Sequence, residues 1–340
     1  MNLLVFADLH LGKKLSNAYF LDLDLQVIDR ICEEVQRSCI DKIIFLGDFF
    51  HNRSESTPRA MGVAREILDK LDCLGIPVIM IIGNHDHYYN NKKDGNYYRI
   101  FKDLFRNITF VESMGRDADL LYVGWMQTPE EESAYKELSK KCKWIFGHFE
   151  FKGAEMSEYY KTTAGLENDN LNSYIFSGHI HQRSQQGKLH YIGSPYPQTW
   201  LARNRHDYGY CLVDTDTEEI KFVDLGLYHF NEYKLQNLLM RIAMNKESVK
   251  KEMLNSETKI IVDVPLNEKQ FSDIKIYLNT FKPKNLLVEK EELIMNSNTP
   301  YTNLQLNTPM EFIQDYISGM KIESLQKNRI LEKVKRILGS

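Results

Sequence analysis

Cysteine is scarce here, and poorly spaced for cross-linking. Five occur in 340 residues, at Cys32, Cys39, Cys73, Cys142 and Cys211, with no CxxC pair and an odd one left over. That excludes a disulfide framework or a cysteine-based zinc module and points to structural thiols in a reducing compartment. No apolar run approaches the ~20 residues a membrane span needs, and the opening Met-Asn-Leu-Leu-Val-Phe-Ala-Asp lacks the basic region of a secretory signal. A cytoplasmic protein without membrane association is expected. There is no internal repeat and no long low-complexity tract. Gly12-Lys13-Lys14 lacks the GxxxxGK spacing and is no phosphate-binding P-loop. Strong charge of one sign is also missing, since the formal net charge is −4. The balance is nevertheless uneven: residues 1–230 carry 26 Lys+Arg against 33 Asp+Glu, and residues 231–340 carry 17 against 14. An acidic front part is expected if carboxylates surround cations. The basic excess behind it either faces a polyanion or is solvated surface.

What the chain does have is a set of five short segments ending in metal-binding side chains. They are Asp8-Leu9-His10, Gly47-Asp48, Gly83-Asn84-His85-Asp86, Gly147-His148 and Gly178-His179-Ile180-His181. Each follows an apolar, β-branched run that reads as a buried strand: Leu3–Phe6, Ile43–Leu46, Val78–Ile82, Trp144–Phe146 and Tyr174–Phe176. Strand tips that each present Asp, His or Asn imply one shared site at a common sheet edge. Period-2 alternation would put Asp8 and His10 on one side of an extended segment, and likewise His179 and His181. Carboxylate, imidazole and amide oxygen together suit Mn2+, Fe2+ or Zn2+ better than an all-oxygen site. Charge supports two ions. Two divalent cations are balanced by Asp8 and Asp48 together with a hydroxide and a phosphodiester, the histidines and Asn84 being neutral. The arrangement suggests hydrolysis of a phosphate ester.

Residues 1–125 alternate strand and helix signals, with helices near 22–38 and 58–74, the second opened by Thr57 and Pro58. From about 108 strands dominate, at 108–112, 119–125, 143–147, 174–178, 189–193, 209–214 and 219–225, with one helix near 130–142. The fold class is α/β (α+β). A boundary falls near 226–232, followed by a helix at 233–254, a strand at 259–264, a helix at 267–281 and a strand at 285–293. Asn296–Pro300 reads as a linker. Two amphipathic tail helices follow, one lined by Ile313, Tyr316, Ile317 and Met320, the other by Ile330, Leu331, Val334, Ile337 and Leu338.

In the order DxH, GD, GNH(D/E), GH and GHxH, the chain resembles the calcineurin-like metallophosphoesterase superfamily. Within it the resemblance is strongest to the SbcD-type DNA-repair nucleases and their phage counterparts, the T4-like recombination endonuclease subunits. Gly47-Asp48-Phe49-Phe50-His51 looks like the nuclease GDxFH segment, the phosphatase GDxxDRG is absent, and Tyr191-Ile192-Gly193-Ser194-Pro195 resembles the loop after GHxH. The resemblance implies a β-sandwich flanked by helices over 1–226, a small α/β capping domain that shapes DNA access over 227–300, and a C-terminal helical pair over 301–340. It implies one metal on Asp8, His10, Asp48 and His181, and another on Asp48, Asn84, His148 and His179. The ions would be Mn2+, with Mg2+ as the alternative. His85 would protonate or stabilise the leaving oxygen, and His51 would contact phosphate. Asp86 would either orient His85 or cap the next turn. The implied activity is that of an endonuclease and 3′-to-5′ exonuclease in recombination, repair and replication, or else of a phosphatase on the same scaffold or a scaffold regulating an ATPase. The implied partners are double- and single-stranded DNA and an SbcC-type SMC-like ATPase. That ATPase would be held by the tail helices, with a homodimer inside a heterotetramer; the tail helices could instead pack on the chain's own cap. Lys250, Lys251, Lys282 and Lys284 are either phosphate contacts or solvated. Tyr97 and Tyr98 are read as starting a core-facing helix, Trp125 as core, and His190 as packing or surface.

Overall fold

The apolar runs that precede the motifs are strands, and their ends lie level. The computed structural model describes residues 1–88, 95–157, 160–167, 172–254, 256–290 and 327–333. Two units divide the chain, Met1–Ala202 with His206–Leu227, and Arg203–Arg205 with Tyr228–Ser340.

In the first unit β1 (Asn2–Phe6) leads through a short turn, α1 (Lys13–Ser16), to α2 (Ala18–Arg37). Asn17 caps α2 by accepting the Tyr19 N–H at 2.9 Å. β2 (Lys42–Phe45), α3 (Pro58–Asp72) and β3 (Val78–Ile81) follow. Thr57 accepts the Ala60 N–H at 3.2 Å and Pro58 occupies the first helical turn, as the cap pattern predicts. Next come α4 (Tyr98–Phe101), β4 (Ile108–Val111), β5 (Met114–Asp117), β6 (Leu120–Val123), α5 (Pro129–Ser139) and β7 (Trp144–Gly147). An antiparallel pair, β8 (Glu155–Ser157) and β9 (Tyr160–Lys161), precedes β10 (Tyr174–Ser177), β11 (Ser184–Gln186), β12 (Leu189–Tyr191), β13 (Gly209–Asp214) and β14 (Ile220–Asp224).

These strands form two six-stranded mixed sheets, β14-β13-β1-β2-β3-β4 and β11-β12-β10-β7-β6-β5. Leu3, Val5, Ile44 and Ile81 of the first meet Tyr122, Phe146 and Phe176 of the second in one buried cluster. The opposite face of the second sheet buries Leu121, Ile145 and Ile175 with Tyr135 of α5. Successive residues of one strand therefore serve different cores, which is why the strands read as continuous apolar runs. The result is a helix-flanked sandwich of mixed α/β class. Each sheet has a parallel centre, β1 to β4 in one and β12-β10-β7-β6 in the other. Phe6 pairs with Phe45, Phe45 with Met80, and Phe146 with Phe176. Level parallel ends put the loops after β1, β2, β3, β7 and β10 at one edge, where open α/β sheets place their sites.

In the second unit β15 (Phe230–Lys234), α6 (Leu235–Met253), β16 (Glu257–Val262), α7 (Glu268–Asn279) and β17 (Asn285–Lys290) alternate, and the three strands form a parallel sheet. Leu238, Leu239, Ile242, Ile260, Ile274 and Leu278 make its core. Residues 327–333 are helical. Ile330 is buried in that core, and Lys333 donates to the Ala243 carbonyl at 2.9 Å. This stretch of the tail packs on the chain itself, while Ile313–Met320 and Val334–Leu338 lie outside the described residues.

Five of the described strands carry no sign in the sequence. β5, β8, β9 and β11 are two to four residues long, with no apolar alternation to show them. In β15 the buried Asn231 breaks the alternation, its amide donating to the Glu252 carbonyl at 2.9 Å. The helix expected from 233 accordingly starts at Leu235. Among the described residues no helix is long and apolar enough to cross a membrane. Ile44→Ala, in the cluster between the sheets, is expected to lower unfolding stability by about 2–5 kcal/mol, measured by urea denaturation. A loss well below that range would mean the two sheets do not share a tightly packed core.

Candidate metal centre

The motif residues converge because the chain kinks sharply where the strands end. Asp8 (φ 54°), His10 (φ 51°), Asp48 (φ 58°) and His179 (φ 78°) all lie in the left-handed region. Non-glycine residues adopt it rarely, at a cost of about 1–3 kcal/mol each. The expectation that extended alternation aims Asp8 with His10, and His179 with His181, is therefore corrected: β1 has ended at Phe6 and β10 at Ser177. Backbone bonds hold the kinks. Asp8 N–H donates to Gly47 O at 3.0 Å, His10 N–H to Asp48 O at 3.0 Å and Leu11 N–H to Phe49 O at 2.8 Å. Close approach also demands glycine. A Cβ on Gly83 would sit 2.3 Å from the Asp48 nitrogen, and one on Gly47 (φ +98°) would sit 2.7 Å from His148 Nδ1.

Three groups of ligand atoms result, each within 4.8 Å of one another: an all-histidine set of His10, His51 and His85, and two sets that hold a carboxylate, Asp8, His10 and His181, and Asp48, His148 and His179. Asp48 faces both of the latter, its Oδ2 lying 3.5 Å from His10 Nε2 and 3.4 Å from His148 Nε2. Asn84 joins the Asp48 set, with its Oδ1 placed 2.8 Å from His148 Nε2 and 3.1 Å from His179 Nδ1. Turning the amide over would instead aim the oxygen at Arg53 and donate from the nitrogen into the cluster. Without a cation the turned amide satisfies its neighbours better, whereas a cation held there would be met by the inward oxygen.

The donor set fits metal ions. His10 Nε2 and His181 Nε2 point at one another across 2.9 Å. Burial holds His181 down at about 4, His179 at about 3 and His10 well below the usual range, so each is a neutral imidazole with one ring nitrogen able to accept. Asp8 Oδ1 accepts the His179 N–H at 3.1 Å, while Oδ2 is buried with no partner among the described residues. Burial pushes the Asp8 carboxyl up to about 8. Burial opposes the His148 cation, yet the adjacent Asp48 carboxylate outweighs it and raises His148 to about 9. For Asp48 itself burial is outweighed by His148 and His10, leaving its carboxyl well below the usual range.

His51 and His85 lie beside the two carboxylate-holding sets. The His85 N–H donates to Asp48 Oδ1 at 2.8 Å, and its Nδ1 donates to the His51 carbonyl at 2.7 Å. The His85 and His51 rings stack at 6.0 Å, and His85 meets the His10 ring edge-on at 4.8 Å. The contacts of Asp86 go to the backbone of its own turn and of the loop after β2. Its buried carboxylate accepts the N–H groups of Asp48 at 3.0 Å, Phe50 at 3.0 Å and Gly83 at 2.9 Å, and the Tyr98 hydroxyl at 3.4 Å. Orientation of His85 falls to the His51 carbonyl. Trp125 is not core: it is half-buried, with its ring 5.1 Å from that of His179 and edge-on to His148 at 5.8 Å. Only its place at a strand end could have hinted at this. Tyr98 does pack in the interior, and His190 is buried against Phe176 at 5.1 Å.

A model of the calcineurin-like phosphoesterase family matches residues 1–183, the stretch that carries every one of these ligands. The chain belongs to that family. This phosphoesterase is similar to exonuclease subunit 1 of Enterobacteria phage T4, at 30% identity over 233 residues, 66% of this chain and 67% of that protein. It is also similar to the SbcD component of the SbcCD nuclease of Staphylococcus epidermidis, at 22% over 254 residues, 65% of this chain and 67% of that one. The double-strand break repair protein Mre11 of Methanopyrus kandleri matches at 23% over 265 residues, 64% of this chain and 56% of that one.

Two measurements probe the phosphoesterase centre. Asp8 at about 8 and His148 at about 9 are both protonated at pH 7 without metal, so a cation must displace their protons. Mn2+ binding at pH 7 is expected to release protons and to tighten as pH rises from 6 to 9. Calorimetry in buffers of different ionisation enthalpy reads the release, and buffer-independent heats would contradict it. Asp86→Ala strands three backbone N–H groups and should cost on the order of 3 kcal/mol or more, read by thermal unfolding without metal.

Proposed function

We propose that this chain is the nuclease component of a DNA-processing machine, hydrolysing phosphodiester bonds with two divalent ions, Mn2+ ahead of Mg2+. The observation that carries the reading is one carboxylate, Asp48, facing two ligand groups, with His85 tied to the same carboxylate through its backbone. The first ion would be held by Asp8, His10, Asp48 and His181, and the second by Asp48, Asn84, His148 and His179. When bound, such ions supply Lewis acidity toward the phosphate oxygens and lower the pKa of water.

The chain's own groups do the rest. Because His85 Nδ1 donates to the His51 carbonyl, its Nε2 is the nitrogen left to face the departing sugar oxygen, and it hands over a proton there only when the ring carries protons on both nitrogens. The His51 ring, stacked on His85, is placed to meet a phosphate oxygen. Asp86 keeps the loops after β2 and β3 together, so the reacting groups stay in register. DNA as substrate is supported by the similarity to an exonuclease and to the SbcD and Mre11 proteins. On the same support we propose endonuclease and 3′-to-5′ exonuclease activity in repair, recombination and replication in a host or cell cytoplasm. The Tyr228–Ser340 unit would shape DNA access. The tail, apart from the stretch at 327–333 that packs on the chain's own core, would dock on an SbcC-type ATPase within a dimer-based assembly.

Asp48→Ala should abolish both Mn2+ binding and turnover. His85→Ala should keep Mn2+ binding and lower kcat on linear DNA by about 10²–10⁴. Both are assayed with Mn2+ on single- and double-stranded DNA beside a generic phosphomonoester. Intact DNA with turnover of the monoester would replace the nuclease reading with a phosphatase.

A further inference from the structure

Behind the Asp8–His10–His181 group lies a buried lysine that the chemistry above does not use. Lys13 follows Gly12 (φ +88°), just before the left-handed turn Lys14–Ser16, and is almost completely buried. Its Nζ sits 3.6 Å from the centre of the Tyr196 ring and donates to Gln198 Oε1 at 2.8 Å. The Tyr196 hydroxyl in turn donates to buried Asp24 at 2.5 Å. The other end of the Gln198 amide, Nε2, donates to the Asp8 carbonyl at 3.2 Å. Asp8 is one of the strained left-handed residues, and its Oδ2 is the unpartnered carboxylate oxygen of the centre.

An amide has one accepting end and one donating end. A lysine ammonium donates and cannot accept, so Lys13 in that form obliges Oε1 to face it and thereby obliges Nε2 to face Asp8. Without Lys13 the amide is free to turn, and its oxygen would then repel the Asp8 carbonyl. The segment that carries Gln198 is itself anchored to another ligand: the Ser194 N–H donates to the His181 carbonyl at 3.1 Å, and the Ser194 hydroxyl to the Tyr196 carbonyl at 2.7 Å. Asp8 and His181 therefore share one strap.

We propose that Lys13 is a positioning residue for the metal centre: through the Gln198 amide it fixes the Asp8 backbone, and so the aim of the Asp8 carboxylate at the Asp8–His10–His181 ion. The inference rests on the two-ion reading. It also runs against simple electrostatics. A buried lysine near a cation site repels the cation, so removing its charge should tighten binding if charge were all that mattered. If the strap matters, removal loosens binding.

The test is Mn2+ titration of full-length wild type, Lys13→Met, Gln198→Met and the double variant, read by calorimetry and by electron paramagnetic resonance, with thermal unfolding of each metal-free protein. Wild type should bind two ions with the spectrum of a spin-coupled pair. Each single variant should lose about 10–100-fold at one site only and show a single-ion spectrum at limiting Mn2+. The double variant should be no worse than either single one, because both break the same strap. Unchanged or tighter Mn2+ binding in Lys13→Met overturns the proposal, as does additive loss in the double variant. Equal weakening at both sites alongside a large drop in thermal stability assigns Lys13 to the fold alone and likewise overturns it. Gln198 is only half-buried, so its variant remains informative if Lys13→Met does not fold. A wild-type protein that binds no second Mn2+ would instead bring down the two-ion reading itself.

Discussion

How closely the loops after β2 and β3 approach one another sets the geometry of the whole centre. Asp48 sits at that approach. Its N–H is held by Asp86, its Oδ1 accepts from His85, and its Oδ2 looks toward His10 on one side and His148 on the other. A side chain at position 83 would occupy the space of the Asp48 backbone, so the approach is possible only because Gly83 has none. Left-handed backbone at four ligand residues is costly locally. The sandwich core beneath offsets that cost, since all five strands that carry the motifs are anchored in it.

Electrostatically the centre is unfinished without cations. Burial leaves His10, His179 and His181 neutral, while Asp8 is raised by burial and His148 by the Asp48 carboxylate, so both hold protons more tightly than usual. The proton and the cation compete for the same atoms. That links metal affinity to pH through the same burial that makes the ligands good ones. Around this set the supporting contacts are mostly neutral and directional: the Leu46 carbonyl on His148 Nδ1 at 2.7 Å, the His51 carbonyl on His85, and the Trp125 ring beside His179. Such contacts aim a ring without adding charge that would oppose an ion.

The Tyr228–Ser340 unit is built on different terms. Its three-stranded parallel sheet and two helices bury an aliphatic core that also receives Ile330. The periodicity of the tail is compatible with a partner or with the chain itself. For Ile330 the chain itself is the answer, because the α6 and α7 side chains leave an apolar surface that it fills.

Which residues meet at the sheet edge, and their order, were readable from residue types alone. An apolar run that ends in glycine and a polar tip is a local pattern, and the level parallel register then brings five such tips to one edge. Helix caps at Asn17 and Thr57 belong to the same class of local signal, although only the second, followed by Pro58, stands out in the sequence. What the linear pattern could not carry were relations between residues far apart. The left-handed turns at Asp8, His10 and His179 came instead of extended alternation, because backbone bonds to neighbouring loops override local preference. Asp86 reads as a helper of His85 when only sequence proximity is considered, but in space its carboxylate is taken up by three backbone donors from two loops. Trp125 looks like core in the sequence and stands beside a ligand in the structure. Lys13 and Gln198 are 185 residues apart, and no periodicity links them. Composition and order determined which atoms were available for a metal centre; only packing decided how each was aimed, because aim depends on contacts the chain makes with distant parts of itself.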